Sequence, residues 1–137
     1  MSPDEARDKN VADLLVSAAE ALASARSENE AGRLRFAVNR AYYACFYAAS
    51  PVLLAEGRHF VKHTGIRAAV HQHMVKTGRL NPSHGQTFDE LFEARHEADY
   101  GASITFVPEE VEQRIGQAER FVEAMKQMRL RPGDTPT

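Results

Sequence analysis

The segment from Leu34 to Ala55, LRFAVNRAYYACFYAASPVLLA, constrains the fold of this chain most strongly. Its apolar side chains occur on nearly every side of a helical wheel, with Phe36 and Val38, for example, on opposite faces. A helix that is apolar almost all round is buried among other elements. The length would suit a membrane span, but Arg35 and Arg40 argue against one. We therefore expect the central helix of a soluble bundle.

Four further helices are predicted around this segment. Proline or a polar capping residue opens most of them, and glycine follows several, as is usual at helix ends. They are predicted over 3–26, 63–77, 83–102 and from 108 to about 130, and the connections over 27–32 and 58–62. Ser83 or Thr87 is predicted to cap the fourth helix. The central helix is expected to kink at Pro51 and to stop at Gly57. The predicted fold class is all-α: a five-helix, mostly up-and-down antiparallel bundle around a central apolar helix. Residues 1–130 form a single domain, and 131–137 are expected to be a disordered tail.

The sequence gives no sign of a disulfide, a metal site or a targeting signal. The single cysteine, Cys45, cannot form an intramolecular disulfide and is expected in the core. The pairs His59/His63 and His71/His73 lack a third ligand at a characteristic spacing, so neither a metal nor another cofactor is predicted. The acidic, polar N-terminal sequence has no targeting pattern, and a cytoplasmic location with no membrane attachment is expected.

Charge is distributed unevenly along the chain. The segment 33–79 contains eight basic residues and one acid, Glu56, whereas the whole chain has a net charge of −2. Such a block is typical of a phosphate-binding surface. The alternative is that basic and acidic helices neutralise each other across the bundle.

Arg95 is the most unusual residue of the fourth predicted helix. It follows Phe88 by seven residues and Leu91 by four, which places it on the face that should enter the core. A guanidinium in that position needs a partner, and Asp99 at i+4 provides one. The pair either fixes the helix register as a structural ion pair or lines a polar pocket in which Arg95 binds a phosphate or a ribose-phosphate backbone.

Four motifs, in this order, resemble those of the HEPN domain superfamily, in its small stand-alone branch. They are Asn39-Arg40-Ala41-Tyr42-Tyr43-Ala44, Lys62-His63-Thr64-Gly65, Val75-Lys76-Thr77-Gly78, and the Arg-x-x-x-Asp-Tyr spacing from Arg95 to Tyr100. The resemblance implies a compact helical bundle that forms a homodimer. It also implies a partner, a minimal nucleotidyltransferase that acts as the antitoxin in a toxin–antitoxin or defence module.

Ribonucleases of that superfamily carry an Arg followed after four to six residues by a His, and they cleave RNA without metal. This chain departs from the pattern, because the histidine nearest to Arg95 is the adjacent His96. Arg58/His63 and Arg67/His73 have a matching spacing, which can arise by chance. The candidate catalytic residues are Arg95, His96, Asp99 and Tyr100. The candidate nucleotide- or RNA-binding residues are Asn39, Arg40, Tyr42, Tyr43, Lys62 and His63.

Three functions remain open from the sequence. The first is a HEPN toxin-like component that binds nucleotide or RNA and pairs with a nucleotidyltransferase. The second is a metal-independent endoribonuclease with an atypical site centred on Arg95. The third is a purely structural interaction bundle in which Arg95 and Asp99 form a core ion pair.

Overall fold

The computed structural model describes residues 2–57, 63–101 and 105–129, and this part of the chain forms five α-helices and no strand. This confirms the predicted all-α class. A short π-helical turn, His71–Val75, continues the third helix. The helices are α1 (Pro3–Glu30), α2 (Leu34–Ala55), α3 (His63–Val70), α4 (Pro82–Tyr100) and α5 (Pro108–Arg129).

Helix α2 lies at the centre and packs against all four other helices. Tyr42, Leu53 and Val38 on it are at most 1% exposed, which confirms the burial predicted from its apolar surface. Both α1 and α2 are rich in buried alanine, a residue whose small side chain allows helices to pack closely. The fully buried alanines of these two helices are Ala18, Ala25, Ala37, Ala41, Ala44, Ala48 and Ala49.

Helix α1 is longer than predicted. The polar segment Ser27–Glu30 was expected to be a loop, but it is the last turn of the helix. It contains neither glycine nor proline, so nothing in it stops the backbone hydrogen bonds. The chain turns only at Gly32, whose φ of +79° lies in the left-handed region that glycine adopts without strain.

Helix α3 differs from the prediction at its C-terminal end. Regular α-helix stops at Val70, and the π-helical turn ends at Val75 rather than at Thr77. The following Lys76 N–H donates to the carbonyl of His71 at 2.9 Å, the i to i+5 bond of a π-helix. The prediction missed this turn because one extra residue in a helix leaves no composition signal.

Helix α4 begins at Pro82, and Asn81 is its cap. The Asn81 side-chain oxygen accepts a hydrogen bond from the Ser83 N–H at 2.9 Å. The predicted caps, Ser83 and Thr87, are therefore wrong: Ser83 lies inside the first turn, and Thr87 is a buried helix residue. The helix ends at Tyr100, while the predicted end at Ala102 lies outside the described residues.

Proline does not interrupt the central helix, which continues past Pro51 to Ala55. The Ser50 hydroxyl donates to the carbonyl of Phe46 at 2.8 Å in the turn before the proline. Gly57, with a φ of +79°, follows the end of the helix as predicted. The predicted loop 58–62 and the predicted tail 131–137 lie outside the described residues. None of the helices in the described part is long and apolar enough to cross a bilayer.

Candidate functional site

Arg95 lies between α4 and α2, on the side of α4 that the sequence predicts. Its side chain is 14% exposed. The guanidinium carbon is 5.1 Å from the centroid of the Tyr42 ring and 6.0 Å from those of Tyr43 and Phe92. Three aromatic rings therefore surround the cation, which is the geometry of a cation–π site. Arg95 Nε is buried and has no hydrogen-bond partner among the described residues.

A chain of polar contacts connects Arg95 to the surface of α2. Arg95 Nη1 donates to Asp99 Oδ2 at 3.3 Å, and the Asn39 amide nitrogen donates to Asp99 Oδ1 at 3.2 Å. The Asn39 amide oxygen accepts from Arg40 Nε at 3.1 Å and from Arg40 Nη2 at 2.8 Å. The Arg40 guanidinium also stacks on the Tyr43 ring at 5.0 Å. Asn39 thus bridges a carboxylate and a cation.

This cluster contains two cations, Arg40 and Arg95, and one carboxylate, Asp99. Within the part of the chain that the structure describes, no carboxylate lies within ion-pair distance of Arg40. Its guanidinium donates instead to the uncharged amide oxygen of Asn39. Asp99 is 28% exposed and carries hydrogen-bond acceptors at the same place.

Tyr42 requires a correction. The sequence predicts it as an RNA contact, but its side chain is fully buried, and its ring packs against the Arg95 guanidinium. Burial raises the pKa of the Tyr42 hydroxyl, and the positive charge of Arg95 offsets only part of that rise. Tyr42 is therefore neutral at physiological pH and cannot act as a base.

A second polar cluster, which the sequence analysis did not identify, joins α3 to α4. Arg67 donates to Asp89 at 2.8 Å and to Glu93 at 3.0 Å. His71 Nε2 lies 2.9 Å from the same Asp89 carboxylate. The Arg67 guanidinium is 4.6 Å from the centroid of Phe92, so this ring contacts both Arg67 and Arg95. The spacing contained a signal: Arg67 on α3 and His71, four residues later in the π-helical turn, match Asp89 and Glu93, which are four residues apart on α4.

His96 and Tyr100 lie together on the exposed side of α4. Their ring centroids are 5.0 Å apart, and Tyr100 is 72% exposed. Adjacent residues of a helix point about 100° apart, so His96 does not share the aromatic surroundings of Arg95. The four candidate catalytic residues thus lie close together on α4, with Arg95 largely covered, Asp99 partly exposed, and His96 and Tyr100 exposed.

Arg35 links the start of α2 to the end of α4 by hydrogen bonds. Its Nη1 donates to the carbonyl of Ala98 at 3.0 Å and to that of Glu97 at 3.4 Å. The next residue, Phe36, is 64% exposed. A groove of about 370 Å³ runs past this point. Its lining residues are Gly32, Arg33, Leu34, Arg35, Phe36, Thr105 and Phe106.

The basic block of the sequence is partly neutralised in the fold. Arg33 pairs with Glu28, and Arg79 pairs with Glu56 in a largely buried contact. Arg67 is paired as described above, and Arg40 donates to the uncharged amide oxygen of Asn39. Neutralisation by acids therefore accounts for Arg33, Arg67 and Arg79, whereas phosphate binding by the block stays a prediction. Lys62 and the side chain of His63, two predicted RNA contacts, lie outside the described residues.

Cys45 and the histidines offer no further chemistry in the described ranges. Cys45 is fully buried, and burial raises the pKa of its thiol well above the ordinary value. No three His, Cys, Asp or Glu side chains of residues 2–57, 63–101 and 105–129 are arranged to hold a metal ion.

Comparison with known proteins gives the family. A 96-residue stretch is 44% identical to a UPF0332 protein of Thermotoga maritima and covers 70% of this chain and 73% of the relative. A protein of Methanocaldococcus jannaschii named "Putative toxin MJ0605" is 33% identical over 113 residues, or 82% of this chain and 84% of its own length. A second protein of that organism, "Putative toxin MJ0142", is 31% identical over 91 residues, or 66% and 62% of the two chains.

The family model covers more of the chain than these pairwise matches. It is that of the HEPN domain, and it matches residues 11–128. The matched range includes all of α2 to α4, nearly all of α5 and the larger part of α1. It therefore includes Arg95, its aromatic surroundings and the polar contacts that lead to Arg40. The chain belongs to the HEPN domain family.

Proposed function

We propose that this chain is the toxin-type component of a two-protein module in the cytoplasm and that it binds single-stranded RNA. The face concerned lies between α2 and α4 and is built from Asn39, Arg40, Tyr43, Arg95 and Asp99. The toxin assignment is supported by family membership and by the two relatives named as toxins.

The observation that carries RNA binding is the arrangement around Asn39. Its oxygen accepts a hydrogen bond from Arg40 Nη2 at 2.8 Å, and its nitrogen donates one to Asp99 Oδ1 at 3.2 Å. Arg40 supplies donors for a phosphate oxygen, and Asp99 accepts a hydrogen bond from a ribose 2′-hydroxyl. A cation and a hydrogen-bond acceptor that share one bridging side chain suit the phosphate and the 2′-hydroxyl of RNA better than they suit DNA, which lacks the 2′-hydroxyl.

The experiment is a titration of a labelled single-stranded RNA at several salt concentrations. Each phosphate contact contributes a slope of about −0.7 to the plot of log affinity against log salt. Arg40→Glu should weaken binding and flatten the slope. The matched control is Arg120→Glu, which makes the same charge change on the exposed surface of α5, where Arg120 lines a groove with Arg26 and Glu112. Equal effects of the two variants, or no binding at low salt, would rule out this RNA site.

The module also implies two protein partners, a second copy of the chain and a minimal nucleotidyltransferase. For the homodimer, we propose contacts along the half-buried outer row of α2, where Tyr47, Ser50 and Leu54 follow one another at helical spacing. Light scattering should give twice the chain mass of 15.3 kDa. A particle of 15.3 kDa at micromolar concentration would contradict the dimer.

The nucleotidyltransferase partner is tested by tagging the chain and identifying the proteins that co-purify with it from its native host. The tagged Arg95→Ala variant serves as the comparison, because it separates partner binding from the RNA site. Recovery of a nucleotidyltransferase with both forms supports the proposed module. Recovery of no such enzyme under conditions that preserve weak complexes contradicts it.

Endonucleolytic cleavage is a second candidate function, and the Arg95–Asp99 contact favours it. An arginine stabilises the charge of a phosphorane, and a carboxylate 3.3 Å away can accept the proton of a 2′-hydroxyl. Neither step requires a metal ion. Cleavage of RNA in EDTA that is lost in both Arg95→Lys and Asp99→Asn would support this function. Cleavage that persists in the two variants would exclude this site.

A further inference from the structure

We propose that Tyr100 and Phe36 form a stacking surface for the bases of the single-stranded RNA whose backbone binds at Arg40. The inference rests on the proposed RNA binding and extends it from the phosphates and sugars to the bases. It also gives Tyr100 a binding role in place of the catalytic one considered from the sequence.

Exposure is the first argument. Tyr100 is 72% exposed and Phe36 is 64% exposed, whereas the other large aromatic side chains of α2 and α4 are half-buried or buried. Leaving an aromatic ring in water forgoes the free energy that its burial would contribute. An exposed ring beside cationic side chains is a common feature of sites that bind single-stranded nucleic acid, because every base has a face that can stack.

The placement of the two rings is the second argument. Arg35 directly precedes Phe36, and its guanidinium binds the carbonyl of Ala98, two residues before Tyr100. The same hydrogen bond therefore joins the helix ends that carry the two aromatic residues. Tyr100 is also next to Asp99, which Asn39 links to Arg40. Phe36 precedes Arg40 by one helical turn, so each of the two helices that carry the proposed phosphate site also carries an exposed aromatic residue.

The orientation of Tyr100 is the third argument. His96 lies one turn earlier on α4, and its ring contacts that of Tyr100 at a centroid distance of 5.0 Å. This contact restricts the rotation of the tyrosine ring and leaves the rest of the ring open to solvent. A ring that is already held in place loses less conformational entropy when a base stacks on it.

Affinity measurements with two probes test the proposal. One is a labelled single-stranded oligoadenylate of about ten nucleotides, and the other is an abasic ribose-phosphate oligomer of the same length. Tyr100→Ala should weaken oligoadenylate binding roughly 5- to 100-fold and leave the abasic oligomer unaffected. Tyr100→Phe keeps the ring and should bind like the wild type. Phe36→Ala should repeat the Tyr100→Ala pattern, and Arg40→Glu should weaken both probes.

Tyrosine fluorescence provides a readout that does not depend on affinity. The chain contains four tyrosines and no tryptophan. A base stacked on Tyr100 should quench its emission, so saturating oligoadenylate should quench the wild type more than Tyr100→Phe. The abasic oligomer should quench the two proteins equally.

Three results would overturn the stacking role while leaving the proposed function intact. They are unchanged oligoadenylate affinity in Tyr100→Ala, equal weakening of both probes by that variant, and a change of oligomeric state in light scattering, which would make Tyr100 a protein contact. Failure of the wild type to bind either probe would instead remove the proposed RNA binding, and with it this inference. Thermal unfolding confirms that each variant is folded, as expected for exposed positions.

Discussion

The guanidinium carbon of Arg95 lies 5.1 Å from the centre of the Tyr42 ring, which is completely buried. The aromatic rings cover the cation, while its carboxylate partner Asp99 remains 28% exposed. An ion pair at 3.3 Å with one partner in partial contact with water contributes little to stability. We therefore attribute the position of Arg95 mainly to the rings and to the packing of its aliphatic chain.

This attribution predicts unequal effects of removing the two partners. Arg95→Ala should lower the free energy of unfolding by about 1–3 kcal/mol, because it removes a cation–π contact and packing. Asp99→Ala should lower it by about 1 kcal/mol or less. Urea denaturation of the two variants measures both values. Equal losses would show that the ion pair, rather than the aromatic surroundings, holds the guanidinium.

Gly85 should be required for the contact between α4 and the π-helical turn. A Cβ atom there would lie 2.9 Å from Val75 Cγ2 and 3.0 Å from His71 Cε1. Gly85→Ala should therefore destabilise the fold by about 1–3 kcal/mol. In the control, Gly116→Ala, the nearest atom is the flexible Arg120 Nη1 at 3.5 Å, so alanine should stabilise α5 by about 0.5–1 kcal/mol. Thermal unfolding that shifts both variants in the same direction would contradict the prediction.

The cap of α4 gives a direct test of the corrected helix boundary. Asn81→Ala removes the side-chain oxygen that accepts from the Ser83 N–H, and should cost about 1 kcal/mol of stability. Ser83→Ala keeps that backbone donor and should change stability by less than about 0.5 kcal/mol. Urea unfolding of the pair decides between Asn81 and the cap predicted from sequence.

His84 should make stability depend on pH. Burial lowers the pKa of its imidazole from the ordinary value of 6.5, and the nearby positive charge of Arg120 lowers it further. Since the unfolded chain then binds the proton more readily, this contribution to stability is complete above pH 6.5 and decreases as the pH falls below it. His84→Gln should reduce the loss of stability on acidification below pH 6.5. An identical acid profile in both proteins would show that His84 has no such role.

Cys45 should be inert in the folded protein. Its side chain is fully buried, and burial raises the pKa of the thiol, so little thiolate is present and reagents cannot reach it. A thiol reagent at pH 8 should react slowly with native protein and rapidly in denaturant. Fast reaction of the native protein, at the rate of a free thiol, would place Cys45 at the surface.

The sequence by itself determined the features that depend on neighbours in the chain. The all-round apolarity of α2 predicted its burial, because no other placement removes so much apolar surface from water. The spacing of Arg95 from Leu91 and Asp99 fixed both its inward direction and its partner, since residues three or four apart share a helix face. These relations need only the period of the α-helix.

Only the tertiary structure decided which distant groups meet. Arg67 binds an acid 22 residues further along the chain, and Asn39 reaches a carboxylate 60 residues away. Tyr42 is buried and Phe36 on the same helix is exposed, and this difference also depends on which side of α2 faces α4. Such contacts follow from the angle and register at which helices pack, and these are set by the fit of many side chains at once rather than by any local pattern.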